Sequence, residues 1–495
     1  MTNNTTAGAG SRDREWRKAL RESMTAAART STPRVKMPTL DPEYRVGNNE
    51  EVNEGLTYGQ ALTEASRCLD CPTPGCVEGC PVGIDIPGFI KEIEAGRPTE
   101  AAAVIKQTSA LPAVCGRVCP QEKQCESRCI YNKMKKAPVA IGYLERFAAD
   151  TLLAEKEAHP EQFAEQRPES NGIRVAVVGS GPAGLSFAGS MAARGYEVTV
   201  YEALHEIGGV LKYGIPEFRL PNSVVDAEIA SLRAMGVDFV KDCIVGKTLS
   251  YDDLHAMGFK GIFVASGAGL PRFMGIPGEN LNGVMSSNEY LTRINLMGAG
   301  QPGHDTPVLK GHRVAVVGGG NTAMDSVRTA RRQGAEKAMI VYRRSEAEMP
   351  ARLEEVAHAK EEGVEFMTLH NPVEFIGDEK GRVKAMRVQR MELGEPDASG
   401  RRSPVPVEGA IEEIPVDLVI ISVGVSPNPL IPHAISELEV SKRGTIVVDD
   451  TTMRSSLPDL YAGGDIVRGG ATVILAMGDG RRAAGEMHKA LTGEE

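Results

Sequence analysis

Arg174-Val-Ala-Val-Val-Gly-Ser-Gly-Pro-Ala-Gly-Leu185 is followed, after a helix-like run, by Glu197-Val-Thr-Val-Tyr-Glu202. Val175 to Val178 is apolar and β-branched with no polar face, the pattern of a strand buried in a parallel sheet. Gly179, Gly181 and Gly184 then fall at G-x-G-x-x-G spacing. The first glycine allows a tight turn, the second lets backbone approach a pyrophosphate, and the third lets helix pack on strand. The helix that begins at Pro182 and Ala183 would aim its unpaired N–H groups and the positive end of its dipole at those phosphates. Tyr196 to Tyr201 is the expected second strand. Glu202 ends it, about twenty residues beyond the glycines, where an acid accepts hydrogen bonds from a ribose.

The same signature recurs further along. Arg313-Val-Ala-Val-Val-Gly318 copies Arg174-Val-Ala-Val-Val-Gly179, and Gly318, Gly320 and Ala323 form a G-x-G-x-x-A turn that opens a helix at Asn321 and Thr322. Val200-Tyr201-Glu202 of the first unit becomes Val341-Tyr342-Arg343 in the second, with Arg344 next. A carboxylate at that place suits an unphosphorylated ribose. Guanidinium groups suit a 2′-phosphate, through charge-assisted and often bidentate hydrogen bonds. The first unit is therefore expected to hold a flavin dinucleotide and the second NADP(H).

Three further stretches look able to lie close to the flavin. One is Gly209-Val-Leu-Lys-Tyr-Gly214 with Arg219 beyond it, where Val210 and Leu211 flank the first glycine. Another is the apolar run Gly261 to Gly269, ending at Gly267 and Gly269. The last is Gly463-Gly464-Asp465 with Thr472, opening the helix that runs to Leu491. Asp417 to Gly424 is the matching closing strand of the second unit.

Eight of the nine cysteines lie between Cys68 and Cys129. They form two groups, Cys68-x2-Cys71-x4-Cys76-x3-Cys80-Pro81 and Cys115-x3-Cys119-Pro120-x4-Cys125-x3-Cys129. Short spacings bring several thiolates to one centre from a single loop. The first group resembles the bacterial ferredoxin run with its closing Cys-Pro; zinc also takes four thiolates. Helices are expected around these groups at Tyr58 to Arg67, Gly88 to Ala95, Thr99 to Thr108 and Ile141 to Leu153. Ahead of them, Arg12 to Met24 could form a short basic helix with Trp16, Leu20 and Met24 on one side, either packing locally or docking a partner.

Composition narrows the class. With 495 residues, about three domains are expected, and 41% hydrophobic residues suffice for real cores. A formal net charge of -10 argues against a nucleic-acid binder. No apolar run is long enough for a membrane helix, and the first residues carry no signal pattern, so the expected location is the cytoplasm. The expected fold class is α/β: two Rossmann-like dinucleotide-binding domains preceded by an α-helical double 4Fe–4S domain. Expected boundaries are an arm at 1–50, the iron–sulfur domain at 51–165, the FAD domain at 171–286 and 441–495, and the NADPH domain inserted at 287–440.

From Tyr58 to Leu491 the chain resembles the small subunit of NADPH-dependent glutamate synthase. The resemblance rests on Arg67-Cys-Leu-Asp-Cys71, Cys115-Gly-Arg-Val-Cys-Pro-Gln121, both glycine turns, Glu206-Ile-Gly-Gly209, Gly318-Gly-Gly-Asn-Thr-Ala-Met-Asp325, Tyr342-Arg-Arg344, Gly394 to Arg402 and Ala462 to Arg468. Dihydropyrimidine dehydrogenase, in its N-terminal half, and ferredoxin:NADP and sulfide dehydrogenase flavin subunits share the pattern. The resemblance implies an electron-input subunit: NADPH reduces FAD, and two 4Fe–4S clusters pass electrons to a large subunit that makes glutamate from glutamine and 2-oxoglutarate, in a hetero-oligomer. By simple count the eight cysteines would supply all eight ligands of two clusters, Cys115 included; the resemblance instead implies seven, Cys68, Cys71, Cys76, Cys80, Cys119, Cys125 and Cys129. In the dehydrogenase relatives the position matching Cys115 is not a ligand, and a glutamine that aligns with Glu145 completes one cluster. Glutamine hydrolysis in the large subunit uses an N-terminal cysteine, whereas Thr2 follows Met1 here; the chain is expected not to make glutamate alone. A flavin disulfide reductase would need a Cys-x-x-Cys beside the flavin, and that spacing occurs only at Cys68 and Cys71.

Overall fold

A computed structural model describes residues 12–163, 165–398 and 400–493. Two five-stranded parallel sheets organise it. The first has the order Leu460–Ala462, Gly261–Val264, Arg174–Val178, Glu197–Tyr201, Asp238–Val240, and the second the order Val284–Ser286, Leu418–Ile421, Arg313–Val317, Lys337–Tyr342, Glu365–Thr368. Both central strands read Arg-Val-Ala-Val-Val and are buried from the valine onward, as continuous apolar runs in a doubly covered sheet must be.

The chain leaves the first sheet and returns to it through a short antiparallel pair, Leu270 against Ser426 and Pro271 against Val425. This differs from the expected boundaries at 286/287 and 440/441. Val284 to Ser286 pair with Val419 to Ile421 and so belong to the second sheet. Ile431, Ile435 and Leu438 pack with Leu254, Ile262 and Leu460 in the core of the first. Glycine-rich loops around both crossings blurred the junctions in sequence.

The second sheet carries an antiparallel three-stranded sheet, His370–Gly377, Val383–Pro396 and Arg402–Pro415, which sequence patterning did not suggest. Val383, Met386 and Val388 pack on Val317 and Ile421, while the outer strand is largely exposed.

The cysteine-bearing segment is helical: Tyr58–Ser66, Ile86–Glu94, Pro98–Lys106, Pro112–Val118 and Ile141–Ala158 are its main elements. Its core is continuous with that of the first sheet, joining Phe89, Val114 and Leu144 to Phe187, Leu232 and Met477. Helix Pro182–Ala192 packs closely on the last helix, Val473–Thr492; a side chain at Gly480 would collide with the Ala183 carbonyl.

The arm helix spans Glu15–Ser23 and packs locally. Arg17 and Arg21 pair with the buried Asp70 carboxylate at 2.6 and 2.7 Å, inside the Cys68–Cys71 loop. Further on, Arg45 reaches across to Glu362 of the second dinucleotide unit (2.9 Å), whose carboxylate also receives Arg328 and Arg332 at 2.8 and 2.7 Å. Burial disfavours the Glu362 charge, but these guanidinium groups hold its carboxyl well below the ordinary range. Glu355 behaves likewise: against burial, Arg219 and Arg328 lower it to about 2.

Groups depressed in the fold contribute stability that is present above their unfolded pKa, near 4.3, and lost as pH falls through the folded value. The melting temperature is therefore expected to drop steeply below about pH 4.3. Glu362→Gln should cost about 3–5 kcal/mol at pH 7, because it strands buried guanidinium charge, and should flatten that acid dependence. Thermal unfolding followed at pH 7 and pH 4 checks both; an unchanged Tm at pH 7 contradicts the role of this cluster.

Candidate functional site: one cleft and two cysteine clusters

Both glycine turns open into one continuous cleft of about 1490 Å³. Gly179, Gly181, Pro182, Ala183, Glu202, Gly209, Val210, Gly214, Gly267, Gly464, Asp465 and Thr472 line its first part, and Gly320, Asn321 and Thr322 its second. Three glycines show why no other residue serves. Gly179 has φ +101°, and a Cβ there would lie 2.5 Å from the Ala265 carbonyl oxygen. A Cβ on Gly184 would strike the Gly179 carbonyl, and one on Gly209 (φ +54°) would lie 2.9 Å from Gly181 Cα. The turn, the helix and the 209 loop are thus pressed together, leaving bare backbone facing the cleft.

Glu202 is buried at the edge of this wall. It accepts hydrogen bonds from Ser180 N and Oγ (2.9 and 2.5 Å) and Leu204 N (2.9 Å). A carboxylate has about four lone-pair positions, so capacity remains for a ribose hydroxyl. Ser180 also receives Gly208 N at 2.9 Å, tying the two glycine loops through one hydroxyl. On the far wall, buried Asp479 accepts from Gly464 N (3.1 Å) and pairs with Arg468 (2.6 Å). Burial pushes the Asp465 carboxyl up to about 6.

Several expected contacts stand elsewhere. Gly184, Leu211, Gly318 and Ala323 do not line the cleft; Leu211 and Ala323 are core residues. Arg219 borders the cleft, but its guanidinium is committed to Asp325 at 2.6 Å and Glu355 at 3.2 Å, clamping one dinucleotide unit to the other. The two arginines after Tyr342 also part company. Arg344 is buried, bonding Asp397 (2.5 Å) and the Arg402 carbonyl (2.8 Å) of the antiparallel hairpin. Arg343 is exposed and makes no ion pair among the described residues; like Arg344, it does not line the cleft. The arginine pair was visible in sequence; the distant Asp397 that takes one member was not.

The thiols fall into two sets that cut across the two sequence groups. Burial pushes Cys76 up, and the neighbouring thiols of Cys68, Cys129 and Cys71 add to it. Cys80, Cys119 and Cys125 instead surround a small cavity whose wall also includes Gln121, Gln124, Ile474 and Glu145. Burial pushes Cys68 and Cys80 each to about 11. Among the described residues no three His, Cys, Asp or Glu side chains converge on a single ion. Thiols spread around a cavity fit a four-iron cluster, in which each iron takes its own ligand, better than one zinc. Ligation would deprotonate them.

Two observations separate Glu145 from Cys115. Glu145 is buried with Oε1 lacking any hydrogen-bond partner, and burial, with Glu228 second, raises its carboxyl to about 8. A buried oxygen without a partner is costly, and this one belongs to a residue of the thiol cavity. Cys115 does not line that cavity; its thiol hydrogen-bonds to the Cys119 thiol, and its Sγ lies 3.4 Å from Met477 Sδ.

The cavity and the cleft share a wall one residue thick. Val118 lines the cleft and Cys119 the cavity; Val473 and Leu475 line the cleft and Ile474 the cavity. Thr472, which caps the last helix, lines the cleft and accepts from Gln124 of the cavity at 3.4 Å. In the other set Cys71, Cys76 and Cys129 are half-buried and Cys68 is buried; in the cavity set Cys119 and Cys125 are buried and Cys80 is half-buried. The cavity set thus lies beside the cleft, and three of the four thiols in the other set reach toward the surface. Of the other thiols only Cys243 borders the cleft, without a second cysteine to make a redox disulfide.

This combination defines a pyridine nucleotide oxidoreductase with an attached iron–sulfur domain. Residues 45–157 match the family described as dihydropyrimidine dehydrogenase domain II, 4Fe-4S cluster. Residues 173–480 match the pyridine nucleotide-disulphide oxidoreductase family. The glutamate synthase [NADPH] small chain of Azospirillum brasilense is 38% identical over 446 residues, covering 88% of this chain and 90% of its own. The chain belongs to that family. The NADP(+)-dependent formate dehydrogenase subunit beta of Moorella thermoacetica is 40% identical over 87% of this chain, which spans only 60% of that subunit. Among solved structures, Mycobacterium tuberculosis FprA in complex with NADPH has a similar fold, with TM-score 0.54 and 22% identity over 65% of this chain and 85% of that one. No helix among the described residues is long and apolar enough to cross a membrane.

Proposed function

We propose that this chain is the electron-input subunit of a glutamate synthase, taking electrons from NADPH and delivering them to a large subunit that makes glutamate from glutamine and 2-oxoglutarate. The observation that carries the reading is the shared wall between the two-dinucleotide cleft and the thiol cavity. When bound, FAD takes a hydride from NADPH and the 4Fe–4S clusters carry single electrons onward. The chain's residues supply binding and separation. Gly179 to Pro182 offer backbone to the flavin pyrophosphate, and Glu202 accepts from its ribose. Gly320 to Thr322 do the same for NADPH, with Arg343 on the 2′-phosphate. Val473 and Leu475 keep water from the side of the cleft that adjoins the thiols.

Cys80, Cys119, Cys125 and Glu145 form the proposed inner ligand set, and Cys68, Cys71, Cys76 and Cys129 the outer one. With three of its four thiols half-buried, against one of three in the inner set, the outer set is the proposed exit toward the partner. The 40% identity to a formate dehydrogenase subunit supports a second reading, in which the same module feeds a different oxidoreductase partner.

Purified alone, the chain is expected to reduce ferricyanide with NADPH and to form no glutamate from glutamine and 2-oxoglutarate. Affinity purification from the native cell should recover a glutamate synthase large chain. Recovery of another redox subunit in its place selects the second reading, and glutamate formed by the isolated chain overturns the subunit assignment.

A further inference from the structure

We propose that Arg352, a residue of the nucleotide-binding unit, is a positioning residue that raises the reduction potential of the inner cluster. The inference rests on the assignment of Cys80, Cys119, Cys125 and Glu145 to that cluster.

Arg352 caps the helix Leu353–Glu361 and ends the loop 349–352; this junction touches three parts of the molecule at once. Pro350 lines the cleft, and Ala351 N donates to the Gly319 carbonyl of the second glycine turn at 3.2 Å. Arg352 N donates to Asn321 Oδ1 at 2.8 Å, at the start of the helix expected to face the nucleotide pyrophosphate. The opposite side of the loop sits on the iron–sulfur domain. Lys123 Nζ donates to the Pro350 and Ala351 carbonyls at 2.7 and 3.1 Å, and Leu353 N to Glu122 Oε1 at 3.2 Å.

The guanidinium goes furthest in. It is 4% exposed and donates to the Arg117 carbonyl at 2.6 Å and to Gln121 Oε1 at 3.1 Å, while its Nε has no hydrogen-bond partner. Gln121 is itself buried and forms part of the thiol-cavity wall. Its Nε2 faces the Cys115 and Gly116 carbonyls at 3.4 and 3.5 Å, and there is no room for a Cβ at Gly142 beside it. Gln121 is thus clamped, and one amide separates the guanidinium from the cavity.

A guanidinium keeps its charge at any working pH. Buried beside a cluster, it favours the reduced, more negative state, because nearby charge and hydrogen bonding set such potentials and little water intervenes to screen them. Glu354 Oε2 accepts from the same Nη2 at 2.9 Å and Glu122 Oε2 lies 4.0 Å from Nε, so both offset part of that charge. Glu354 therefore predicts an effect of opposite sign. The arrangement makes the inner potential depend on the nucleotide unit being seated against the iron–sulfur domain.

The test is potentiometric titration of the reduced holoprotein, read by electron paramagnetic resonance. The inner signal is the one that Cys125→Ala removes. Arg352→Met should lower its midpoint, Arg352→Lys should retain most of the wild-type value, and Glu354→Gln should raise it, with the outer signal unmoved throughout. If Arg352→Met does not accumulate as folded protein, Glu354→Gln decides alone. No rise in Glu354→Gln, an unchanged midpoint in Arg352→Met, a Lys variant shifted as far as the Met variant, or equal shifts of both signals each overturns the inference. Should Cys125→Ala remove no signal, the ligand assignment fails instead, and the inference falls with it.

Discussion

Cys125→Ala is expected to lower the iron content from about eight to about four atoms per chain, whereas Cys115→Ser keeps about eight, the count for two four-iron clusters. Spacing alone cannot make that distinction, since both residues sit in the second cysteine group. The expectation rests on geometry: Cys125 borders the thiol cavity, while Cys115, bonded to Cys119 and close to Met477, does not. Glu145→Ala should alter one paramagnetic signal, because an oxygen ligand adds negative charge and tends to lower the potential of its cluster. Iron analysis with spectroscopy of the three variants is decisive. Loss of four irons in Cys115→Ser, together with a silent Glu145→Ala, would show the eighth ligand to be the cysteine.

Arg343→Glu should raise KM for NADPH by about 30-fold or more and leave KM for NADH within about threefold. A charge-assisted hydrogen bond is worth about 2 kcal/mol, roughly a 30-fold change, and the new carboxylate adds repulsion toward a phosphate. Arg344 does not share this role, since Asp397 and the Arg402 carbonyl hold it. Arg344→Ala should act mainly by loosening the hairpin, with similar effects on both nucleotides. Steady-state kinetics with NADPH and NADH separates these outcomes; equal effects of Arg343→Glu on both would remove Arg343 from the 2′-phosphate.

Those residues also mark what the sequence could and could not reveal. The strands Arg174–Val178 and Arg313–Val317 were legible because a doubly buried parallel strand is a continuous apolar run, and glycine spacing located both turns. The antiparallel hairpin was not. Its long strands carry Glu, Arg, Gly394 and Pro404 in a half-exposed pattern that reads as loop. The sorting of the thiols was equally hidden, because Cys80 and Cys129 each join the set opposite to their own sequence group. The commitment of Arg219 to Asp325 and Glu355, and of Arg352 to Gln121, depends on segments brought together only by the tertiary fold.

The thin partition between cleft and cavity bears on how such a protein matures. On one side it is built by Val118 and Cys119; on the other by Thr472 to Leu475, at the start of the last described helix. A ribosome releases the cysteines long before it releases Ile474, and domains fold from the N-terminal side as they emerge. Until that helix docks on Pro182–Ala192, the inner thiols lack the apolar lid that Ile474 provides, and the cleft lacks Gly464, Asp465 and Thr472. One late segment of the chain thus completes both the thiol cavity and the flavin side of the cleft.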